Sequence, residues 1–240
     1  MELISLASKN SFGQPVHWTT HLFPIVGIFL YTIYPKSFRL SDFYLKTFSM
    51  VHNALLVIFS AWTFGSLSYV LYSSETVIST AYYFQDPFFD KVILMFYISK
   101  YYEFFDTILL YMNGKTPIFL QKYHHIGAVI VWHLCYVYKV DAVLISSFVN
   151  SFVHTIMYSY YLGCLLKISG VRVIKQFITT LQLVQLCVPS LLVVVLYYPP
   201  AETAFNYGII LFFVGYVAVL VGLFGQFYFA NYINVKTKNQ

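Results

Sequence analysis

The stretch DKVILMFYISKYYEFFDTILLYM, residues 90–112, decides how the rest of the chain is read. As a helix it is long enough to cross about 30 Å of hydrocarbon. Yet it carries Lys100, Glu103, Asp106 and Thr107. At about 100° per residue these four share one face about 120° wide. An ionisable side chain at mid-membrane costs about 2.5–3.5 kcal/mol on insertion scales, so it usually marks function. A buried ion-pair network that only orients helices is the alternative. The stretch by itself does not choose between them, and the surrounding chain has to.

Composition sets the solvent. Of 240 residues, 59% are hydrophobic and only 10% charged, against about 25% charged in soluble domains. So little charge cannot cover so much apolar surface in water, which predicts an all-α polytopic membrane protein. Apolar runs of spanning length fall near 17–34, 47–73, 90–112, 117–138, 142–166, 173–198 and 204–232, giving seven transmembrane helices. Breakers separate them: Pro35, the pair Asp86-Pro87, NGKTP (113–117), KVD (139–141), KISGVR (167–172) and PPAET (199–203). Pro24 and Pro189 lie inside spans, where they are expected to introduce kinks. With no internal repeat and no low-complexity linker, residues 1–240 read as one domain. The first residues lack a basic segment followed by an apolar core, so no cleavable signal peptide is expected. Cys135, Cys164 and Cys187 all sit in apolar runs, which argues against a disulfide framework or a CxxC motif.

Charge gives the orientation. The loops after spans one, three and five and the C-terminal tail hold Lys36, Arg39, Lys46, Lys115, Lys122, Lys167, Arg172, Lys175, Lys236 and Lys238. The opposite side holds only Lys9, Lys91 and Lys139, beside several carboxylates. This bias places the N-terminus in the lumen and the C-terminus in the cytoplasm. The tail KTKNQ carries Lys236 and Lys238 at the fifth and third positions from its end. That spacing resembles a dilysine signal for retrieval to the endoplasmic reticulum membrane; an ordinary basic cap on the last helix is the alternative.

Other spans add polar groups at a similar depth. Span four opens PIFLQKYHH, with Gln121 one turn before His124 and His125. The deeper His133 is read as structural. Span five carries Asn150, His154, Tyr158 and Tyr161 at intervals of four, four and three, a single stripe. Span two contributes His52 and Asn53, span six Thr179, Gln182 and Gln185, and span seven Gln226, Tyr228 and Tyr232. Interhelical hydrogen bonding or an interfacial aromatic belt accounts for any one of these. Six helices doing so at one depth describe a polar chamber open to the cytoplasm with an apolar bundle beyond it. A long hydrophobic substrate with a polar head fits that shape.

The ordered blocks KYYEFFDT, QKYHH, NSFVHTIMYSYY and TTLQLVQ, with HN at 52–53 and LFGQFYFANY near the end, resemble the motifs of the ELO family. These are the very-long-chain fatty acid elongases, or 3-ketoacyl-CoA synthases, of the endoplasmic reticulum. The resemblance runs from about residue 50 to 232. It implies that helices two to seven surround an acyl tunnel closed on the lumenal side. It also implies decarboxylative condensation of a fatty acyl-CoA with malonyl-CoA. By the same resemblance His124 forms an acyl-imidazole, with His125 and Gln121 orienting its ring and His154 assisting proton transfer. Asn150 and Tyr158 would stabilise developing charge, and Lys100, Glu103 and Asp106 would scaffold the chamber. Lys115, Lys122, Arg172 and Lys175 are candidate contacts for CoA phosphates, or topology determinants only. No cofactor, metal or nucleic acid is expected; partners would be the lipid bilayer and the ketoacyl reductase, dehydratase and enoyl reductase of the cycle, and an oligomer is compatible. Tyr197, Tyr198 and Phe205 are candidates for the tunnel floor.

One departure matters. The first histidine of the family's H-x-x-H-H is Gln121 here, and an amide does not take up a proton at neutral pH. If that position only orients its neighbours, activity survives; if it acts as an acid or ligand, the chain is a silent acyl-CoA binding or regulatory subunit. A di-iron desaturase or hydroxylase would need about eight histidines in several boxes, and the chain has 7. A retinal protein would need a lysine in the last span. A transporter would be expected to show paired repeats.

Overall fold

The computed structural model describes residues 8–33, 39–74, 83–196 and 204–233. The expectations that fall on Lys36, Lys236, Lys238, Tyr197 and Tyr198, and on the side chain of Phe205, lie outside the described residues. Helices form at all seven expected spans. They are α1 (Leu22–Ile33, entered through a 3-10 turn at Trp18–His21), α2 (Asp42–Ser73), α3 (Pro87–Tyr102), α4 (Phe104–Met112), α5 (Phe119–Val137), α6 (Val143–Leu165), α7 (Lys175–Leu196) and α8 (Ala204–Tyr228, running into a π turn at Phe229–Ile233). By length and hydropathy, Asp42–Ser73, Val171–Val195 and Tyr207–Ile233 are long and apolar enough to cross a membrane. Lys100, Glu103, Asp106, His124, Asn150 and His154 sit on the other, shorter spans. An N-terminal two-stranded hairpin, β1 (Ser8–Lys9) against β2 (Pro15–Val16), was not expected.

Local chemistry fixes the helix ends. Asp86 accepts the Phe88 N–H at 2.9 Å and Pro87 fills the first helical position of α3, where a missing N–H costs nothing. Helices α4, α5 and α6 all close with the paired bonds of a Schellman motif: Lys115 N to Leu110 O, Val140 N to Cys135 O, and Ile168 N to Gly163 O. The left-handed residue is Gly114 in the first, but Lys139 and Lys167 in the others. Pro24 lies in the first turn of α1, where its lost N–H is least costly. Pro189 lies well inside α7.

Neighbour relations between the spans return on themselves: α2 packs on α6, α6 on α7, α7 on α8, α8 on α5, α5 on α3 and α3 on α2. Helix α1 stands outside this circuit, against α5 and the α3–α4 junction. The Tyr31 ring stacks on Phe104 with centroids 4.2 Å apart, and Phe23 lies 4.9 Å from Tyr101.

The 90–112 stretch is not one continuous helix. It is interrupted at Glu103, a single residue that separates α3 from α4 while its own N–H still bonds Ser99 O at 2.9 Å. After the break Asp106 N bonds Glu103 O, a tighter three-residue step. The four polar residues therefore do not share one face. Lys100, Glu103 and Asp106 turn to α6 and α2, whereas Thr107 accepts from Tyr31 of α1 at 3.0 Å.

The end of the bundle carrying the α4–α5 and α6–α7 turns bears Arg39, Lys115, Lys167 and Arg172 and is the basic end. At the far end, Asp141 is almost fully buried and accepts the N–H groups of Tyr83 and Phe84 at 2.9 and 3.3 Å. Ser11 from the hairpin donates to the carbonyls of Tyr138 and Lys139.

Candidate active site

The polar residues converge by pinning helices together. Lys100 is 2% exposed; its ammonium bonds Glu103 Oε1 at 2.8 Å and Asn150 Oδ1 at 3.1 Å and lies 4.1 Å from the centroid of the Phe96 ring. Boxing an ammonium between a carboxylate, an amide oxygen and an aromatic face is how a buried cation is kept charged and satisfied. His154 of α6 brings Nδ1 to 3.6 Å from the same Glu103 oxygen. One turn further, Asp106 takes His52 Nε2 of α2 at 2.9 Å and the Tyr158 hydroxyl of α6 at 2.7 Å. The two carboxylates on either side of the helix break thus tie α3 and α4 to α2 and α6. Each carboxylate has two polar partners, Glu103 in a buried site and Asp106 in a partly buried one, which is the condition for a charged group to be tolerated there.

His124 faces this network from α5. A ring nitrogen of His124, a carboxylate oxygen of Glu103 and a ring nitrogen of His154 lie within 4.8 Å of one another. That spacing is one a metal ion could use, but the Lys100 ammonium already holds the carboxylate, so a cation would have to enter against a positive charge. The donor set therefore fits a proton-transfer cluster better than a metal centre. His125, 5% exposed, points elsewhere, between Phe104 and Tyr31.

A narrow cavity opens beside His124. Asn150, Gln185, Ser146 and Tyr216 supply its polar wall, and Trp132, Leu186, Pro189, Phe213, Val217 and Leu220 most of the remainder. A second, smaller cavity lies nearer the α5–α6 turn, lined by Cys135, Ala142, Val143 and Ile210 and sharing Ser146 and Phe213 with the first. From His124 to Cys135 the helix rises about 16 Å. A polar head region thus gives way to an apolar slot.

Several expected residues lie elsewhere. Asn53 donates to Ser49 O of its own helix. Gln182 contacts Met157 Sδ at 3.1 Å, while Gln185 lines the cavity with a buried Oε1 that has no hydrogen-bond partner among the described residues. Tyr161 is 40% exposed beside Tyr158. Gln121 is half-buried and not among the cavity-lining residues. Lys115, Arg172 and Lys175 are exposed at the basic end, and Lys122 is half-buried near the Tyr111 ring.

Two residues escaped sequence reasoning. Tyr31 belongs to α1, which the motifs do not include. Tyr216 lies in the middle of an apolar span, outside any motif; it bonds the His124 carbonyl at 2.9 Å. The signal that could have found it is Gly127, one turn after His124, where any Cβ would fall inside the Tyr216 ring.

With that geometry in place, the comparison with known proteins is decisive for kinship. The profile of the ELO family, described as the GNS1/SUR4 family, matches residues 14–240. The chain belongs to the ELO family. Relatives include fatty acid elongase sre1 of Dictyostelium discoideum, 34% identical over 161 residues, covering 59% of this chain and 55% of that protein. Fatty acid elongase 3 of Trypanosoma cruzi (strain CL Brener) is 32% identical over 162 residues, 63% of this chain and 52% of its own length. Fatty acid elongase 3 of Trypanosoma brucei brucei (strain 927/4 GUTat10.1) is 30% identical over 175 residues, 70% and 57% respectively. The chain thus spans a little over half the length of these curated relatives. Family membership and the apolar helices make it a transmembrane protein.

Proposed function

We propose that this ELO-family chain is the condensing enzyme of a membrane-bound fatty acid elongation cycle, a 3-ketoacyl-CoA synthase. The observation that carries the reading is His124 at the polar end of a mostly apolar cavity, with Glu103 and His154 beside it. Relatives named fatty acid elongases agree with it.

In this reading the seven spans cross the endoplasmic reticulum membrane with the basic end in the cytoplasm and the N-terminus in the lumen. The circuit of α2 to α8 encloses the acyl tunnel, and the buried Asp141 turn and N-terminal hairpin support closure at the lumenal end. An acyl-CoA enters tail first. A ring nitrogen of His124 attacks the thioester carbonyl, the C–S bond breaks with its electron pair on CoA sulfur, and an acyl-imidazole remains. Malonyl-CoA then binds; its carboxylate carbon leaves as CO₂, and the electron pair of the broken C–C bond forms the new bond to the acyl carbon, releasing imidazole. His154 is the group for proton transfer, with Glu103 orienting it, and Asn150 and Gln185 are donors for the developing oxyanion. Lys115, Lys122, Arg172 and Lys175 contact CoA phosphates, and the 3-ketoacyl product passes to the reductases and dehydratase of the cycle.

A silent, acyl-CoA-binding role is the second reading, because of Gln121. The position of Gln121 off the cavity wall favours the catalytic one. The test is purified protein incubated with a panel of fatty acyl-CoAs, followed by mass spectrometry. An acyl adduct on His124 that malonyl-CoA discharges as a product two carbons longer is the expected result. Folded protein with neither adduct nor product sinks the catalytic reading and leaves the silent one.

A further inference from the structure

The site holds a hydroxyl that the motifs do not name. Tyr216 is 7% exposed and its ring packs against α5 at Gly127, the one residue type that leaves room for it. Tyr123 stacks on its other side with centroids 5.4 Å apart. The phenol is therefore held by packing, and its oxygen reaches two atoms of one residue. It lies 2.9 Å from the carbonyl oxygen of His124 and 3.3 Å from His124 Nδ1.

A phenol has one hydrogen to give. A carbonyl oxygen can only accept, so the hydrogen goes to it, along the shorter of the two contacts. Toward Nδ1 the phenol oxygen then offers only lone pairs, and that contact is favourable only when Nδ1 carries the hydrogen. In a neutral imidazole the basic lone pair is then on Nε2. We propose that Tyr216 is a positioning residue that fixes the tautomer of His124, making Nε2 the atom that is acylated.

The consequence for the reaction is specific. When Nε2 bonds the acyl carbon and CoA leaves with the C–S pair, the ring holds positive charge with its one acidic hydrogen on Nδ1. The Tyr216 oxygen accepts from that N–H, which steadies the cation until the proton passes out to balance the thiolate. With the other tautomer, the lone pair sits on Nδ1 against a phenol oxygen and Nε2 is blocked by its own hydrogen, the kind of error that is costly where a histidine must present a chosen nitrogen. This inference rests on His124 being the acylated residue.

The experiment is ¹⁵N NMR of the histidine-labelled full-length protein in detergent, with His124 assigned by its absence in His124→Gln, alongside steady-state kinetics of Tyr216→Phe. The phenylalanine keeps the ring and removes only the hydroxyl. The wild-type spectrum is expected to show protonated Nδ1 and unprotonated Nε2 at His124. In Tyr216→Phe the tautomers mix and kcat falls about ten- to a hundredfold, with KM for acyl-CoA within about twofold and a displaced pH profile. Wild-type His124 protonated on Nε2 overturns the proposal without any variant. So does a Tyr216→Phe protein with unchanged kcat, or with reduced kcat and an unchanged tautomer, which would assign the hydroxyl to packing. A wild type with protonated Nδ1 that neither acylates nor elongates fails the functional reading instead, so the two failures are told apart.

Discussion

Among the described residues the molecule holds two largely buried polar nests, each with two or more histidines, and they are built to opposite ends. The first joins Lys100, Glu103, Asp106, His52, Tyr158, His154 and His124 across five helices, α2 to α6, and borders the larger cavity. The second lies nearer the far end, between α1, α3 and α5. There Ser8, Tyr138, His21, His133, Tyr97 and Tyr101 form one chain of contacts, with the two histidines 2.9 Å apart and His133 Nδ1 3.0 Å from the Tyr97 hydroxyl. In the second nest both nitrogens of both histidines are spent on protein neighbours, and neither ring lines either of the two cavities described above. In the first, among the described residues, His124 has a hydrogen bond at Nδ1 only, beside open space. Burial and hydrogen bonding are common to both. Under the proposed function, unspent valence facing a cavity is what separates the reacting histidine from the structural ones.

The largest test of that distinction is a paired truncation. His124→Ala is expected to abolish the acyl adduct and lower elongation by at least about a thousandfold, while His133→Ala keeps turnover within about threefold and lowers the melting midpoint instead. Comparable activity losses in both proteins would erase the contrast.

Next comes the scaffold of the first nest. Lys100→Met leaves the Glu103 carboxylate and Asn150 without their ammonium, which costs about 3–5 kcal/mol of stability when one partner of a buried pair is lost. Elongation should fall with it. The double variant Lys100→Met/Glu103→Gln should recover much of the stability and little of the activity, since the charge is gone but so is the group that orients His154. A Lys100→Met protein that folds normally and elongates at the wild-type rate removes the scaffold role.

A smaller effect is expected at the rim of the helix break. Tyr31→Phe removes the hydroxyl that bonds Thr107 while keeping the stack on Phe104. One hydrogen bond is worth about 0.5–1.5 kcal/mol, so thermal unfolding should shift by a few degrees. Hydrogen exchange at the first α4 amides should rise, and turnover should drop only a few-fold. Unchanged exchange would mean that α1 does not brace the break.

These contrasts also mark where the sequence could be read and where it could not. Periodicity and hydropathy place helices at all seven spans, because membrane solvent demands long apolar runs and internally satisfied backbone. The convergence of Lys100, Glu103, Asp106, His154 and His124 follows from helical spacing plus the ELO motifs. The helix break at Glu103 does not, because no Pro or Gly marks it; it reflects partners on three other helices, so Thr107 turns to α1 against the expectation of a single face. Tyr216 was equally hidden. Within α8 it looks like any aromatic core residue, and only the crossing with α5 reveals its contact with His124. The bonds that complete the His21–His133 nest join positions 112 residues apart, and no local pattern carries that information.

The smallest expected effect is the one on which the sequence placed most weight. Gln121→His restores the first histidine of the family's box, and a ligand or acid at that position would raise activity strongly. Yet Gln121 is half-buried one turn outside His124 and does not line either cavity. A side chain there can order the entrance and its neighbours, a task an amide performs with both a donor and an acceptor. Turnover of Gln121→His with the preferred acyl-CoA should therefore stay within about twofold of wild type, in keeping with the small effect of substitutions outside the reacting contacts. A gain of tenfold or more would show that a third imidazole takes part in the chemistry. In that case the number of histidines would matter as well as their access to the cavity, and the line drawn between the two nests would have to be redrawn to include a residue that touches neither.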